Sequence, residues 1–291
     1  MNAASVQIKA VIFDLDGVIY RGRTPLPGGR AAIATLWAGG GQAYYFTNNS
    51  TRSRESYVAL LDSFGIPSDP DHIVTSASLT VEYLRDRYAG QSPTILVVGE
   101  EGLRDELTRA GFRVVRRVPK RGVDVVVVGM DRKFTYATLH RAQQALLAGA
   151  EFIATNRDAT YPVEGNVIPG GGSIVAAVAA AAEREPITMG KPSEWSGRLI
   201  ARHAGVSPSE TLMVGDRLET DIEMGRRCGM WTCMVLSGIS HAGEIEGLPP
   251  ESRPHWVIAG IWKLPELLAG HPVRIVPESE VSAFLQREEA V

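Results

Sequence analysis

The chain has 291 residues, which is enough for two domains of ordinary size and for a core that needs no disulfide or metal to fold. Hydrophobic residues make up 44% and charged residues 22%, so the composition excludes a disordered, collagen-like or coiled-coil protein. There are 30 basic and 33 acidic side chains, the net charge is −3, and no run of basic residues is longer than a pair. We therefore expect a globular protein that does not bind nucleic acid.

The sequence shows no sign of secretion or of membrane insertion. Its two cysteines, Cys228 and Cys233, do not form the disulfide framework of a secreted protein. Residues 1–9 are polar and lack the apolar region of a signal peptide. The longest apolar stretch, 174–182, is far shorter than the roughly 20 residues that a membrane helix needs. These features predict a cytoplasmic protein that has no membrane partner.

Short apolar runs alternate with helical patterns along the whole chain. Several runs are apolar on both faces, as strands buried in a parallel sheet are. The segments between them repeat apolar residues every three or four positions, and glycine follows many of them, as at a helix C-cap. This alternation predicts an α/β fold with right-handed crossovers. The predicted strands are 10–13, 43–46, 95–98, 123–128, 152–154, 211–214, 233–236 and 256–258, and the predicted helices are 55–64, 101–110, 136–148, 193–204 and 221–228.

The first predicted strand ends in two carboxylates on one tight turn, Asp14 and Asp16, followed by Gly17. In open α/β sheets, ligands bind at the carboxyl ends of the strands. Two neighbouring carboxylates repel each other unless a cation lies between them, and their hard oxygens suit Mg²⁺. The alternative interpretation is that Asp14 caps a helix and that Asp16 and Gly17 form an ordinary turn.

Polar residues follow two other predicted strands in the same way. Thr47 and Asn48, a hydroxyl and an amide, come directly after the second strand. Asp216 follows the sixth strand, and Asp221 begins the next predicted helix. Lys191 is a single cation before another helix, but the proline after it and the missing upstream glycine exclude a P-loop. No GxGxxG motif follows a strand, which removes the main support for a dinucleotide enzyme.

The charges of these residues balance only with added positive charge. Asp14, Asp16, Asp216 and Asp221 bring up to four negative charges, and a phosphate monoester brings nearly two more. A divalent cation and Lys191 must offset them if the site is to fold and to bind its ligand. The set therefore indicates phosphoryl transfer, in which positioning and electrostatic stabilisation supply most of the catalysis.

The order of these motifs, DxDG, TNNS, GKP and GDRxxTDI, resembles motifs one to four of the haloacid dehalogenase superfamily. The resemblance spans about residues 8–240. Within the superfamily, DLDGVIY and FTNNSTRS are similar to the NagD-like and 4-nitrophenylphosphatase-like phosphatases, which include phosphoglycolate and glycerol-phosphate phosphatases.

The spacing of the motifs agrees with an inserted domain. Asp14 and Thr47 are 33 residues apart, whereas Thr47 and Lys191 are 144 residues apart, which is room for a whole domain. The resemblance implies a Rossmann-like parallel-sheet core interrupted by a C2-type α/β cap that selects the substrate. We expect the discontinuous catalytic core at 1–79 and 185–291 and the cap at 80–184.

The resemblance also implies a role for each motif residue. Asp14 resembles the nucleophile that forms an aspartyl-phosphate, and Asp16 resembles the general acid and base. Asp14, the backbone carbonyl of Asp16 and Asp216 would bind Mg²⁺, and Asp221 would hold a water of the ion or orient the lysine. The groups that would hold the phosphoryl oxygens are Thr47, the amide of Asn48 and Lys191.

A loop after the strand at 152–154 resembles the substrate-specificity loop of this subgroup. Arg157 stands where many members have proline, so it either adds a cation facing an anionic substrate or is a solvated arginine. Tyr161 either closes the pocket or packs against its neighbours. The residues that we expect to contact the leaving group are Asn49, Arg52, Asn156, Arg157, Asp158 and Tyr161.

The sequence thus predicts a Mg²⁺-dependent phosphatase. Its substrates would be small soluble phosphate monoesters, with sugar phosphates, glycerol phosphate, phosphoglycolate, nucleotides and aryl phosphates all open. The alternatives are a phosphomutase and a non-catalytic phosphometabolite-binding protein on the same fold. The large insertion resembles phosphatase rather than mutase architecture, and intact Asp14, Asp16 and Lys191 argue against a binding protein. Similar proteins often form homodimers through the cap, and the resemblance extends that expectation to this chain.

Overall fold

A computed structural model describes residues 7–163 and 166–270 of the chain. They form two compact units, the first made of 7–46, 58–73 and 191–270 and the second of 47–57, 74–163 and 166–190. The predicted boundaries of core and cap stay a prediction. The strands are β1 (Ala10–Asp14), β2 (Tyr20–Arg21), β3 (Thr24–Pro25), β4 (Gln42–Thr47), β5 (Ile73–Thr75), β6 (Thr94–Val98), β7 (Arg113–Val115), β8 (Val125–Val128), β9 (Glu151–Ala154), β10 (Thr160–Val163), β11 (Asn166–Pro169), β12 (Ile187–Thr188), β13 (Thr211–Gly215), β14 (Trp231–Val235) and β15 (Trp256–Ile258).

Ten α-helices lie in the described part of the chain, and none of them is both long and apolar enough to cross a membrane. Five of them, α1, α3, α6, α9 and α10, are absent from the helices predicted above. The helices are α1 (Gly29–Ala38), α2 (Arg54–Ser63), α3 (Ser76–Arg87), α4 (Glu101–Arg109), α5 (Tyr136–Leu147), α6 (Gly171–Ala182), α7 (Glu194–Ala204), α8 (Glu223–Cys228), α9 (Ala242–Glu246) and α10 (Leu264–Leu268).

The first unit is built on a six-stranded sheet in the order β15-β14-β13-β1-β4-β5. β1 pairs in parallel with β4 on one side and with β13 on the other, so the strand order reverses at β1. Every residue of β1 is buried. The apolar side chains of Val11, Ile12 and Phe13 alternate between the two faces of the sheet, so both faces are covered at this strand. This arrangement confirms the predicted α/β class with a parallel sheet.

The second unit contains a five-stranded parallel sheet in the order β12-β9-β8-β6-β7. β6 lies between β7 and β8, so the strand order of this sheet reverses at β6. Helix α3 packs against α4, and α5 packs against α6 over a core that includes Val126, Phe152 and Val178. The segment 47–57 belongs to this unit, and within it Arg54 forms a 2.5 Å ion pair with the buried Glu106.

The helix predicted at 221–228 begins later than expected. Asp221 lies in a π-helical turn, Leu218–Ile222, and the α-helical part is confined to α8. The amides of Asp221 and Ile222 both donate to the carbonyl of Arg217, at 3.1 and 3.2 Å, which widens the turn. The amide of Arg217 in turn donates to Oδ2 of Asp221 at 3.1 Å, so the turn fixes this carboxylate in place.

Candidate active site

The carboxyl end of β1 brings Asp14 into the interior of the first unit, where the residue is only 9% exposed. Asp16, two residues later, is half-buried. Gly17, which follows Asp16, has a φ of 87°. A Cβ at this position would lie 2.3 Å from Oδ2 of Asp216. Glycine is therefore required for the close approach of the two strand ends.

Asp216 follows β13, the strand next to β1, and it is almost fully buried. Its Oδ2 accepts a hydrogen bond from the amide of Ile239 at 2.9 Å. A Cβ at Gly238 would lie 2.1 Å from the same oxygen. A side chain at either Gly17 or Gly238 would therefore collide with the Asp216 carboxylate, so both glycines make room for it.

Lys191 lies between the carboxylate of Asp14, at the end of β1, and that of Asp221, in the turn after β13. It is 3% exposed, and its ammonium forms ion pairs with Asp14 and, at 2.6 Å, with Oδ1 of Asp221. The ammonium also donates to the carbonyl of Phe46 at 3.3 Å and lies 5.1 Å from the centre of the Phe46 ring. A buried lysine is held here by two carboxylates, a carbonyl and an aromatic face.

The carboxylates of Asp14, Asp216 and Asp221 each place one oxygen within 4.8 Å of the others. Three carboxylates face one ammonium, so the cluster carries more negative than positive charge. Burial, opposed by Lys191 and reinforced by Asp221, raises the pKa of Asp14 to about 7. Burial together with Asp14 and Asp221 also raises the pKa of Asp216 above its usual range. Three buried carboxylates facing one ammonium leave a deficit of positive charge that a hard divalent cation fits.

Lys191 keeps its charge in this setting. Burial alone would lower the pKa of its ammonium, but Asp14 and Asp221 raise that pKa above its ordinary value. The predicted metal residue Asp16 is not among the three clustered carboxylates. The resemblance assigns the backbone carbonyl of Asp16 to the metal, and that assignment stays a prediction.

The second unit gathers most of the other predicted residues around Asn48. The side-chain amide of Asn48 donates to both oxygens of Asp158, at 3.2 and 3.1 Å. The backbone carbonyl of Asn48 accepts from the side chain of Asn156 at 2.7 Å and from the hydroxyl of Ser76 at 2.6 Å. The amide of Asp158 donates to Oδ1 of Asn156 at 3.0 Å, so these three predicted residues form one network.

Two further predicted residues meet in the same unit. The side-chain amide of Asn49 donates to the hydroxyl of Tyr161 at 3.0 Å. The backbone amide of Asn49 donates to the hydroxyl oxygen of Thr47 at 3.1 Å, and the Asn49 Oδ1 accepts from both the amide and the hydroxyl of Thr51. The segment that begins at Thr47 is therefore fixed by its own side chains and by Tyr161.

Two predicted substrate residues are not part of this network. Arg157 forms an ion pair with Glu185, and both side chains are about half exposed or more. Arg52 is exposed. The pair with Glu185 supports the interpretation of Arg157 as a surface arginine in this structure.

Several residues that shape the cluster are missing from the prediction: Phe46, Gly238 and Ile239. A signal was present for Gly238, because Ser237 and Gly238 follow the predicted strand at 233–236 as polar residues follow the other strands. The carbonyl and ring of Phe46 carry no sequence signal, since Phe46 belongs to the apolar part of β4.

Comparison with known proteins agrees with this geometry. Residues 11–113 match the family described as haloacid dehalogenase-like hydrolase, and residues 188–264 match the family described as HAD-hydrolase-like.

Three known proteins illustrate the similarity over most of the chain. The glycerol-3-phosphate phosphatase of Gallus gallus is 37% identical over 266 residues, which cover 84% of this chain and 85% of the relative. The p-nitrophenyl phosphatase of Archaeoglobus fulgidus is 31% identical with a TM-score of 0.82, covering 90% of this chain and 99% of that one. The glycerol phosphate phosphatase of Mycobacterium tuberculosis, solved in complex with magnesium, is 32% identical with a TM-score of 0.81, covering 88% and 77%.

Proposed function

Because the chain belongs to the haloacid dehalogenase-like hydrolases and is a phosphomonoesterase, we propose that it hydrolyses small soluble phosphate monoesters with Asp14 as the nucleophile. The observation that carries this proposal is the buried cluster in which Lys191 pairs with Asp14 and Asp221 beside Asp216. The ammonium fixes the Asp14 carboxylate at the end of β1, and a nucleophile held in a fixed position is suited to attack a bound electrophile.

The proposed reaction has two displacements at phosphorus. In the first, an oxygen of Asp14 bonds to phosphorus while the ester bond breaks, and Asp16 gives its proton to the leaving oxygen. In the second, water bonds to phosphorus, its proton goes to Asp16, and the bond between phosphorus and Asp14 breaks. Phosphate is released, and both carboxyl groups return to their starting states. Lys191 holds Asp14 in place and offsets part of the negative charge throughout.

The donor set fits Mg²⁺, since three hard carboxylate oxygens converge with uncompensated negative charge. Asp14, Asp216 and Asp221 would hold the ion, with the backbone carbonyl of Asp16 as the expected further ligand. When bound, the ion would neutralise the carboxylates and polarise the phosphoryl group. The Mycobacterium tuberculosis relative has been solved in complex with magnesium and in complex with calcium, which supports a site for a hard divalent cation.

Glycerol phosphate is the first substrate to test, because two relatives of high coverage bear the name of a glycerol phosphate phosphatase. Thr47 and Asn48 are proposed to hold the phosphoryl oxygens. The network around Asn49 and Tyr161 supports a rigid platform for a small leaving group. The predicted homodimer and the predicted cytoplasmic location stay predictions.

The test is phosphate release from glycerol 3-phosphate, phosphoglycolate and 4-nitrophenyl phosphate, with Mg²⁺ and with EDTA. We expect Asp14→Asn to lower turnover by about a thousandfold or more, since the nucleophile is lost. The matched control is Asp62→Asn, because Asp62 is an exposed carboxylate on α2. An acid quench during turnover should place phosphate on the peptide that contains Asp14.

Normal turnover by a folded Asp14→Asn variant would disprove the nucleophile assignment. Transfer of the phosphoryl group to another position of the substrate, without release of phosphate, would instead indicate a phosphomutase. Metal-independent turnover would remove the proposed role of the carboxylate cluster in holding Mg²⁺.

A further inference from the structure

A second charged cavity lies wholly within the second unit and takes no part in the proposed reaction. Its volume is about 610 Å³, and it lies at the carboxyl ends of β6 and β8. β6 pairs with β7 on one side and with β8 on the other, so the strand order reverses between β6 and β8. A crevice at such a reversal is where open α/β sheets bind their ligands.

Basic side chains exceed acidic ones around this cavity. Two of its acidic groups are already paired with basic ones: Glu100 with Arg132 at 2.5 Å, and Glu101 with Arg116 at 3.2 Å. The third, Asp131, accepts a hydrogen bond from the backbone two residues later at 2.9 Å. The charged lining residues are Arg104, Arg116, Arg132, Lys133 and Arg141 against Glu100, Glu101 and Asp131.

Three cations of the cavity, Arg104, Lys133 and Arg141, form no ion pair within residues 7–163 and 166–270. Arg104 donates through Nη2 to the carbonyl of Val97 at 3.1 Å, but its Nη1 is buried and has no hydrogen-bond partner among those residues. Arg141 donates to the hydroxyl of Thr138 at 3.2 Å. A buried guanidinium nitrogen without an acceptor is costly, and an anion in the cavity would supply the missing acceptor.

We propose that this cavity, which we call the arginine cavity, binds the phosphate group of a small phosphorylated metabolite through Arg104 and Arg141. The planar guanidinium presents paired donors that match two phosphate oxygens. The volume exceeds that of an inorganic ion and suits a ligand of metabolite size. The inference does not depend on the proposed function, because no residue of the arginine cavity belongs to the carboxylate cluster.

The probe is methylenediphosphonate, which contains no phosphate ester for a phosphatase to cleave. Calorimetric titration of the full chain in EDTA should show saturable binding, since without metal the carboxylate cluster repels an anion. We expect Arg104→Met and Arg141→Met each to weaken binding by about tenfold or more, because each variant removes a charged donor. Arg85→Met is the matched control, since Arg85 is an exposed arginine of the same unit, paired with Glu82.

A second measurement locates the probe. In the unaltered protein the probe should slow amide exchange in residues 98–104 and 129–135 and leave residues 14–17 unchanged. Absence of saturable binding would overturn the proposal, and so would equal affinity in the unaltered protein and both variants. If Arg104→Met fails to fold, as circular dichroism would show, Arg141→Met decides the question alone.

Discussion

The six-stranded and five-stranded sheets of this protein both reverse their strand order beside their first strand, and they differ in the charge at that point. In the first unit the reversal lies between β1 and β13, and in the second between β6 and β8. The first reversal point gathers three carboxylates around Lys191, whereas the second gathers five basic and three acidic side chains around a cavity. The backbone offers an equivalent ligand position in both sheets.

The difference teaches that topology sets where a ligand binds and that side-chain charge sets which ligand it is. The carboxylate cluster is buried, and burial, together with the neighbouring carboxylates, raises the pKa of Asp14 and of Asp216. The ion pair between Arg116 and Glu101 at the second reversal point is exposed and is screened by water. Removal of one charge should therefore lower the free energy of unfolding much more at the first reversal point than at the second.

The largest expected difference concerns Lys191. Lys191→Met removes the ammonium and leaves Asp14 and Asp221 as unpaired buried charges, which typically costs about 3–5 kcal/mol of unfolding free energy. The measurement is urea unfolding in EDTA. Lys263→Met is the control, because Lys263 forms a pair of the same 2.6 Å length with Glu266 at the surface. Equal losses of unfolding free energy in Lys191→Met and Lys263→Met would show that burial does not strengthen the ion pairs of Lys191.

A smaller effect is expected from magnesium. Mg²⁺ at a hundred times its dissociation constant should raise the free energy of unfolding by about 2.7 kcal/mol, because it binds only the folded cluster. Asp216→Asn should lose most of this gain, and Arg104→Met should keep it, since Arg104 lies in the other unit. An undiminished magnesium effect in Asp216→Asn would place the ion elsewhere.

The smallest effect is expected from Arg116→Gln. Its ion pair with Glu101 joins side chains that are 71% and 67% exposed, so its loss should change the free energy of unfolding by less than about 0.5 kcal/mol. The same variant should still weaken methylenediphosphonate binding, because it removes a cation from the arginine cavity. A large loss of stability would instead make Arg116 a structural residue.

The carboxylate cluster could be predicted because each strand that leads to it is an apolar run ending in a polar residue. Asp14 and Asp216 follow such runs, and the parallel sheet brings the two ends together. The π-helical turn could not be predicted, since it depends on two amides sharing the carbonyl of Arg217. Helix α1 lacked a start signal, because it follows Gly28 in a left-handed conformation and has no side-chain cap.

The arginine cavity also could not be predicted from the sequence. Arg104, Arg116, Arg132 and Arg141 are spread over four different segments and form no basic run, so each resembles a solvated surface residue when considered alone. Only the order of strands in the second sheet brings these segments to one edge. The sequence predicted that Asn48 and Asp158 belong to one site. It did not predict the hydrogen bond between them, because residues 110 positions apart give no local pattern.

The assignment of segment 47–57 to the second unit limits how such proteins can be recombined. The chain passes between the units four times, and the segment carries its own bonds to the second unit. Arg54 neutralises the buried Glu106, and the carbonyl of Thr51 accepts from the amide of Gly102 at 3.3 Å. A chimera that exchanged only 74–190 with a relative would inherit these contacts from two different parents. An intact exchange of the second unit therefore requires two separate stretches of the gene to travel together.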